Sequence, residues 1–110
     1  DGGIDGVIRQ DKLGFNKIYI QAKRYDLEKT VGRPELQKFG GAIPEKNVKG
    51  LFVTTGRFSQ DAQKYANDRH IILIDGQRLA ELMIEHDFGV STEYTYRIKR
   101  IDMDVFEEED

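Results

Sequence analysis

Two short segments of the sequence contain side chains that together could cut a phosphodiester. The segment "GGIDGVI" contains Asp5, and "IYIQAK" ends with Gln21 and Lys23. A carboxylate and an amide carbonyl are hard oxygen ligands of the kind that Mg²⁺ accepts together with several waters. A lysine beside a metal-bound water would orient or deprotonate that water, or neutralise charge that builds on the phosphate. If the segments meet in the fold, they predict metal-assisted hydrolysis.

The backbone adds a third possible ligand, and an ordinary structural interpretation competes with the catalytic one. The carbonyl of Ala22, between Gln21 and Lys23, would complete a set of oxygen ligands. An Asp that follows two glycines is, however, commonly a turn residue, and Gln-x-Lys on a strand commonly faces solvent. Spacing alone leaves both interpretations open.

The alternation of polar and apolar residues in the two segments, with a polar loop between them, predicts an antiparallel hairpin that would bring them together. Residues 3–9 alternate with period two, which indicates a half-buried strand with its two isoleucines on one side and Asp5 on the other. Residues 17–25 predict a second strand, in which Gln21 and Lys23 share a face. The intervening "QDKLGFN" is polar with a central glycine, as in a hairpin loop.

After the hairpin, the pattern alternates between helices and strands. One helix is predicted to start near Pro34, a second to be capped by Ser59 and a third by Asp75. Gly40 and Gly41 fall inside the first helix, where we expect another backbone to pack closely. Three further strands are predicted, two of them covered on both faces and the last at an edge: "VKGLFVTT", "HIILID" and "TEYTYRIKRI". This order predicts an α/β fold with a mixed central sheet flanked by helices.

Length and charge indicate one domain with a basic body and an acidic tail. The 110 residues suffice for a single domain over 1–110, and we expect a fragment because no initiator methionine is present. Six of the 20 acidic residues lie in the last ten, which leaves 14 acids against 17 Lys and Arg in the rest. We expect this body to bind a polyanion and the tail at 102–110 to oppose binding, although an ordinary solvated surface would also explain the charge.

Absent residue types exclude several classes of protein. Without cysteine the chain has no disulfide and no thiolate metal site, which fits the expected cytoplasmic location. No apolar run approaches the roughly 20 residues that span a membrane, so we expect no membrane partner.

Five segments, in order, resemble the Mrr-type catalytic domain of type IV restriction endonucleases, which belongs to the PD-(D/E)XK nuclease superfamily. They are "DGGIDGVI", "IYIQAKRY", "GRPELQKFGGAI", "LFVTTGRFSQDA" and "IILIDGQRLAELM". The resemblance covers about residues 1–105 and implies a restriction-endonuclease-like fold. It also implies a Mg²⁺-dependent endonuclease that acts on methylated or otherwise modified double-stranded DNA.

The resemblance assigns roles to the residues of the hairpin. It implies that Asp5 is the metal-binding aspartate and Lys23 the catalytic lysine, and that Gln21 stands where most superfamily members have an acid. A helix that often precedes the first strand in the superfamily would lie upstream of Asp1. Two alternatives stay open, because a fold does not fix a substrate: a junction-resolving or repair nuclease, and a DNA-binding module without catalysis. One site attacks one strand at a time, so we expect a homodimer or larger assembly on DNA.

Four further residues are candidates for contacts with DNA. Arg57 and Ser59 lie just before the predicted second helix, at whose start free backbone N–H groups attract phosphate. Arg24 follows the catalytic lysine, and Arg33 precedes the first helix. A plain turn and a solvated surface are the alternatives for these positions.

Overall fold

The computed structural model describes residues 3–13, 16–45 and 48–86. The described elements follow in chain order: β1 (Gly6–Arg9), β2 (Lys17–Lys23), β3 (Thr30–Val31), α1 (Arg33–Ala42), β4 (Lys49–Thr54), β5 (Arg57–Phe58), α2 (Gln60–Asp68), β6 (Ile71–Ile74) and α3 (Gly76–Glu85). The strand predicted from "TEYTYRIKRI" and the acidic tail at 102–110 lie outside the described residues.

The central sheet is mixed, as the sequence predicts. Its strand order is β1-β2-β4-β6, in which β1 pairs antiparallel with β2 and the other neighbours are parallel. The parallel strands are joined by crossovers that contain α1 and α2, in agreement with the alternating pattern of the sequence. β3 and β5 form a separate parallel pair that was not predicted, because two residues are too few to show a periodic pattern.

One face of this sheet carries the main core, together with α1 and α2. The register places Gln21 opposite Phe52 and Phe52 opposite Leu73, so these side chains share a face. Phe39 of α1 meets Phe52 edge-on, with ring centroids 5.6 Å apart. The buried core consists of Tyr19, Val31, Leu36, Phe39, Phe52, Ala62, Tyr65, Ala66 and Ile71. α3 contacts β4 and β6 but contributes no residue to this core.

The buried side of β1 differs from the expectation. The half-buried strand is confirmed, but Val7 packs against the core whereas Ile8 is 48% exposed. The register explains this, because Val7 lies opposite Tyr19, a core residue. The buried side of β1 is therefore the side of Val7.

The expectation that the later strands are covered on both faces is wrong for β6. Ile71 is buried, whereas its neighbour Ile72 is 49% exposed. Within the described residues, the second face of the sheet is therefore only partly covered.

Two of the helix starts are capped as predicted. Ser59 accepts a hydrogen bond from the backbone N–H of Ala62 at 3.0 Å, and Asp75 accepts one from that of Arg78 at 2.8 Å. α1 has no side-chain cap and begins instead with Pro34 in its first turn.

Glu45 links the segment after α1 to the start of β2 through side-chain hydrogen bonds. Its carboxylate accepts a hydrogen bond from Lys17 Nζ at 2.7 Å and a short one from the Tyr19 hydroxyl. The hydrogen bond from Lys17, and to a smaller extent the one from Tyr19, lowers the pKa of Glu45 below its ordinary value. The same hydrogen bonds raise the pKa of Lys17 and of Tyr19. The stability that Glu45 contributes is therefore present at neutral pH and lost as the pH falls through its lowered pKa.

The paired glycines of α1 have different surroundings, and neither packs against a backbone as expected. A Cβ on Gly40 would lie 2.5 Å from the hydroxyl of Tyr65, a side chain of α2 that is only 6% exposed. A Cβ on Gly41 would meet nothing within 4 Å. Close approach of α2 therefore requires glycine at the first position only.

This difference predicts opposite effects of the same substitution. We expect Gly40→Ala to destabilise the protein by about 1–3 kcal/mol, because the buried Tyr65 ring must shift. Gly41→Ala should stabilise it by about 0.5–1 kcal/mol, because alanine loses less backbone entropy in a helix. Urea unfolding of both variants checks this, and equal effects at the two positions would contradict it.

Candidate active site

Two hydrogen bonds to β2 fix Asp5, which lies immediately before β1. Its backbone N–H donates to the carbonyl of Ile20 at 2.8 Å, and its Oδ2 accepts from the backbone N–H of Ala22, also at 2.8 Å. The regular ladder begins at Gly6, which pairs with Ile20, so the bond from the Asp5 N–H to the same residue of β2 lies outside the ladder register. Among the described residues, Oδ1 of Asp5 has no hydrogen-bond partner and remains able to bind a ligand.

Gln21 is a buried polar side chain whose amide is not satisfied by the described part of the protein. It is 5% exposed, and no described residue forms a hydrogen bond with its side chain. Leaving such a group without a partner costs about 1–3 kcal/mol. Its Oε1 lies against Gly3, where a Cβ would be 3.1 Å away. An unsatisfied buried oxygen and a free carboxylate oxygen that line one cleft are typical of a site that binds a cation.

The backbone of Ala22 points towards the same place. The N–H of Ala22 donates to Asp5, and in a strand the N–H and C=O of one residue point in the same direction. β1 begins at Gly6, so it does not reach the level of Ala22. The carbonyl of Ala22 is therefore directed to the Asp5 side of the sheet, beyond the end of the ladder.

Asp5 and Gln21 line a single cleft of about 420 Å³, which we call the Asp5 cleft. Its lining residues are Gly3, Asp5, Gln21, Lys23, Tyr25, Lys29, Glu35, Lys38 and Phe52. The structure thus brings together the side chains of Asp5, Gln21 and Lys23, as predicted from the sequence. No described carboxylate lies within ion-pair distance of Lys23, whose ammonium is free to face a substrate.

Four charged or polar members of the Asp5 cleft were not predicted. Tyr25 and Lys29 follow β2, whereas Glu35 and Lys38 lie on α1 and form the opposite wall. Their spacing of three on a helix puts Glu35 and Lys38 on one face. That spacing was the available signal, but it does not show which face of α1 points at the hairpin.

A hydrogen bond links the two walls of the cleft. The hydroxyl of Tyr25 donates to Oε2 of Glu35 at 2.6 Å. The backbone N–H of Tyr25 donates to Oγ1 of Thr55 at 2.7 Å. The Thr55 hydroxyl in turn donates to the backbone carbonyl of Tyr25. The ammonium of Lys29 lies 4.8 Å from the centre of the Tyr25 ring, a cation–π contact.

The four predicted DNA contacts lie elsewhere, and none of them lines the Asp5 cleft. Arg33 pairs with Asp61 at 3.4 Å and lies over a tyrosine ring of α2. The Ser59 hydroxyl caps α2, whereas Arg24 and Arg57 are exposed. Their assignment to DNA stays a prediction.

The donor set of the Asp5 cleft fits Mg²⁺. Asp5 and Gln21 offer oxygen atoms without described partners, and the carbonyl of Ala22 is directed to their side of the sheet. The described residues contain no cluster of three or more His, Cys, Asp or Glu side chains. Mg²⁺ prefers a site that has few charged protein ligands and leaves room for several coordinated waters.

Gly3 shapes the position of the Gln21 amide, and a matched pair of variants tests this. Gly3 has a φ of +86°, so Gly3→Ala introduces about 1–2 kcal/mol of strain and pushes a methyl group against Oε1 of Gln21. We expect lower stability in urea and weaker binding of Mn²⁺, followed by electron paramagnetic resonance of the free ion. In Gly6→Ala the new methyl meets nothing within 4 Å, so this control should bind Mn²⁺ like the parent. Equal Mn²⁺ affinities for both variants would contradict the role of Gly3.

None of the described helices is long and apolar enough to cross a membrane.

Comparison with known families gives a match to a restriction endonuclease family, Mrr_cat, over residues 1–83. Among curated proteins, the chain is similar to the type IV methyl-directed restriction enzyme EcoKMrr of Escherichia coli (strain K12). The two are 50% identical over 109 residues, which is 97% of this chain and 35% of the relative. The chain thus spans about a third of the length of that relative.

Two solved structures share the fold. A complex of the restriction endonuclease MspJI with a 27-mer oligonucleotide superposes with a TM-score of 0.68 and 25% identity, over 92% of this chain and 23% of that one. The DNA modification-dependent restriction endonuclease AspBHI gives a TM-score of 0.62 at 22% identity, over 86% of this chain and 24% of the other. The fold is therefore that of restriction endonucleases.

Proposed function

This chain belongs to the Mrr_cat family of restriction endonucleases, and from that premise we propose that it is the part of an enzyme that hydrolyses DNA phosphodiester bonds with Mg²⁺. The observation that carries the proposal is the Asp5 cleft, in which a free carboxylate oxygen, an unsatisfied buried amide and an unpaired lysine meet. Each of these features would be unfavourable or without purpose in a structural core.

The strand residues hold the cation in this proposal. Oδ1 of Asp5, Oε1 of Gln21 and the carbonyl of Ala22 are its protein ligands. The bond from Ala22 N–H to Oδ2 keeps the carboxylate of Asp5 in place without occupying its second oxygen. When bound, Mg²⁺ polarises a phosphate oxygen and lowers the pKa of a coordinated water.

The lysines of the cleft act on the phosphate and on the attacking water. The ammonium of Lys23 donates hydrogen bonds that orient the water or stabilise the extra negative charge on the phosphate in the transition state. Lys29 and Lys38 line the same cleft, so that three ammonium groups stand against the carboxylates of Asp5 and Glu35. This excess of positive charge in the cleft attracts the anionic backbone of DNA independently of the DNA sequence.

We further propose that the substrate is double-stranded DNA that carries a modification such as methylation. Support comes from the similarity to a methyl-directed enzyme and to a restriction endonuclease held in complex with an oligonucleotide. In the body of the chain, Arg24, Arg33, Arg57 and Ser59 remain the candidates for contacts with the DNA backbone outside the cleft.

Conservative substitutions at two positions of the Asp5 cleft, one a proposed cation ligand and one the proposed catalytic lysine, test the chemistry. Asp5→Asn keeps an oxygen that can accept the Ala22 N–H but removes the charge, and Lys23→Met keeps the aliphatic stem but removes the ammonium. We expect each to slow Mg²⁺-dependent cleavage of methylated supercoiled plasmid by at least about 100-fold. The control is Lys12→Met, because Lys12 is an exposed hairpin residue outside the cleft.

Cleavage by Lys23→Met at the parental rate would show that the cleft is not the catalytic site. Absence of cleavage by the parent, with binding of DNA retained in every variant, would favour a DNA-binding module instead.

The expected assembly follows from the single copy of the Asp5 cleft. One cleft attacks one strand at a time, so we propose that two copies act together on duplex DNA. A time course on methylated supercoiled plasmid at saturating enzyme should then yield linear product directly. Nicked circles that persist under these conditions would instead indicate a working monomer, and sedimentation with and without DNA gives the stoichiometry.

A further inference from the structure

The proposed cation site has too little negative charge on its strands. Of the three ligands proposed on β2 and in the segment before β1, only Asp5 is anionic, because Gln21 and the Ala22 carbonyl are neutral. Lys23 adds a positive charge to the same cleft. A divalent cation held by one carboxylate beside an ammonium is weakly bound, since each unit charge within a few ångströms changes its free energy substantially.

A second carboxylate faces the same space from the helix. Glu35 lies in the first turn of α1 and lines the Asp5 cleft together with Asp5 and Gln21. Its Oε2 accepts the hydrogen bond from Tyr25, whereas Oε1 has no hydrogen-bond partner among the described residues. No described Lys or Arg lies within ion-pair distance of Glu35, although three lysines line the cleft.

Tyr25, which donates the hydrogen bond to Glu35, is fixed in position by contacts with Thr55 and Lys29. Thr55, which is 3% exposed, bonds both the N–H and the carbonyl of Tyr25, and Lys29 covers its ring. A carboxylate bonded to such an anchored hydroxyl keeps one orientation. It can then present its second oxygen without the loss of rotamer entropy that a free glutamate would incur.

We propose that Glu35 supplies the second carboxylate that binds the divalent cation in the Asp5 cleft, and that Tyr25 is the positioning residue that aims it. This inference rests on the proposed function, because it concerns the same cation. Glu35 thereby provides from α1 the negative charge that is missing at Gln21 on β2.

A purely structural role for Glu35 predicts different behaviour. An acid in the first turn of a helix favours the helix through its dipole, but that effect requires neither a position in the cleft nor the bond from Tyr25. It would alter unfolding without altering the affinity for a cation. Binding of Mn²⁺, measured without DNA by electron paramagnetic resonance of the free ion, separates the two roles.

Four variants of the chain make up the experiment. Glu35→Gln removes the charge and keeps an oxygen that can accept the Tyr25 hydroxyl. Tyr25→Phe keeps the charge and removes its anchor. Asp5→Asn tests the strand ligand, and Glu28→Gln removes an acid that is exposed and does not line the cleft.

We expect Glu35→Gln to weaken Mn²⁺ binding by at least about tenfold, and Asp5→Asn by at least as much. Tyr25→Phe should weaken it by about two- to fivefold, since the carboxylate stays but loses its fixed orientation. Glu28→Gln should bind like the parent.

The outcomes distinguish this inference from the proposed function. If Asp5→Asn loses Mn²⁺ while Glu35→Gln binds it with parental affinity, Glu35 is not a ligand and the strand site stands. If Asp5→Asn itself binds Mn²⁺ like the parent, the cation site of the proposed function is wrong. A loss in Glu28→Gln equal to that in Glu35→Gln would show a general effect of charge and overturn the inference.

Discussion

The arrangement of the Asp5 cleft depends on the two hydrogen bonds that tie Asp5 to β2. The regular ladder between β1 and β2 begins at Gly6, and a longer β1 would have paired with Ala22 through its backbone. Here the side chain of Asp5 takes that place, so the backbone of β2 itself sets the position of the carboxylate. The sheet opens at this level, and the open end leaves room for a ligand between Asp5 and Gln21.

The packing of α1 then determines what faces that opening. Phe39 of α1 meets Phe52 edge-on, and Phe52 lies opposite Gln21 in the sheet register. The contact that buries the helix therefore also aligns its first turn with the unsatisfied amide. The absence of a side chain at Gly40 lets α2 press against α1 through Tyr65. Core packing and the geometry of the cleft are, in this protein, consequences of the same few aromatic contacts.

The sequence predicted the hairpin part of the site because its information is local. Period-two alternation and a polar loop suffice to put Asp5, Gln21 and Lys23 on one face, and the resemblance to a nuclease family assigned their roles. The helix part was not predicted. Tyr25 and Glu35 are linked through β3, whose two residues show no periodicity, and their bond exists only once α1 has packed on the sheet.

The burial of β1 could not be predicted for a related reason. Hydrophobicity alone does not distinguish the side of Ile8 from that of Val7, and the choice is made by the register with Tyr19. The mixed sheet and the caps at Ser59 and Asp75, in contrast, follow from patterns confined to a few neighbouring residues. Long-range pairing is what the sequence alone did not reveal.

The bond from the Ala22 N–H to Asp5 also makes one amide proton a reporter on the cleft. Amide protons in strand ladders exchange slowly with solvent because backbone acceptors shield them. The proton of Ala22 is shielded by a side chain at the open end of the sheet instead. Its exchange rate therefore follows the position of a single carboxylate, and any ligand that pulls Asp5 away from β2 exposes this proton while leaving those of the ladder protected.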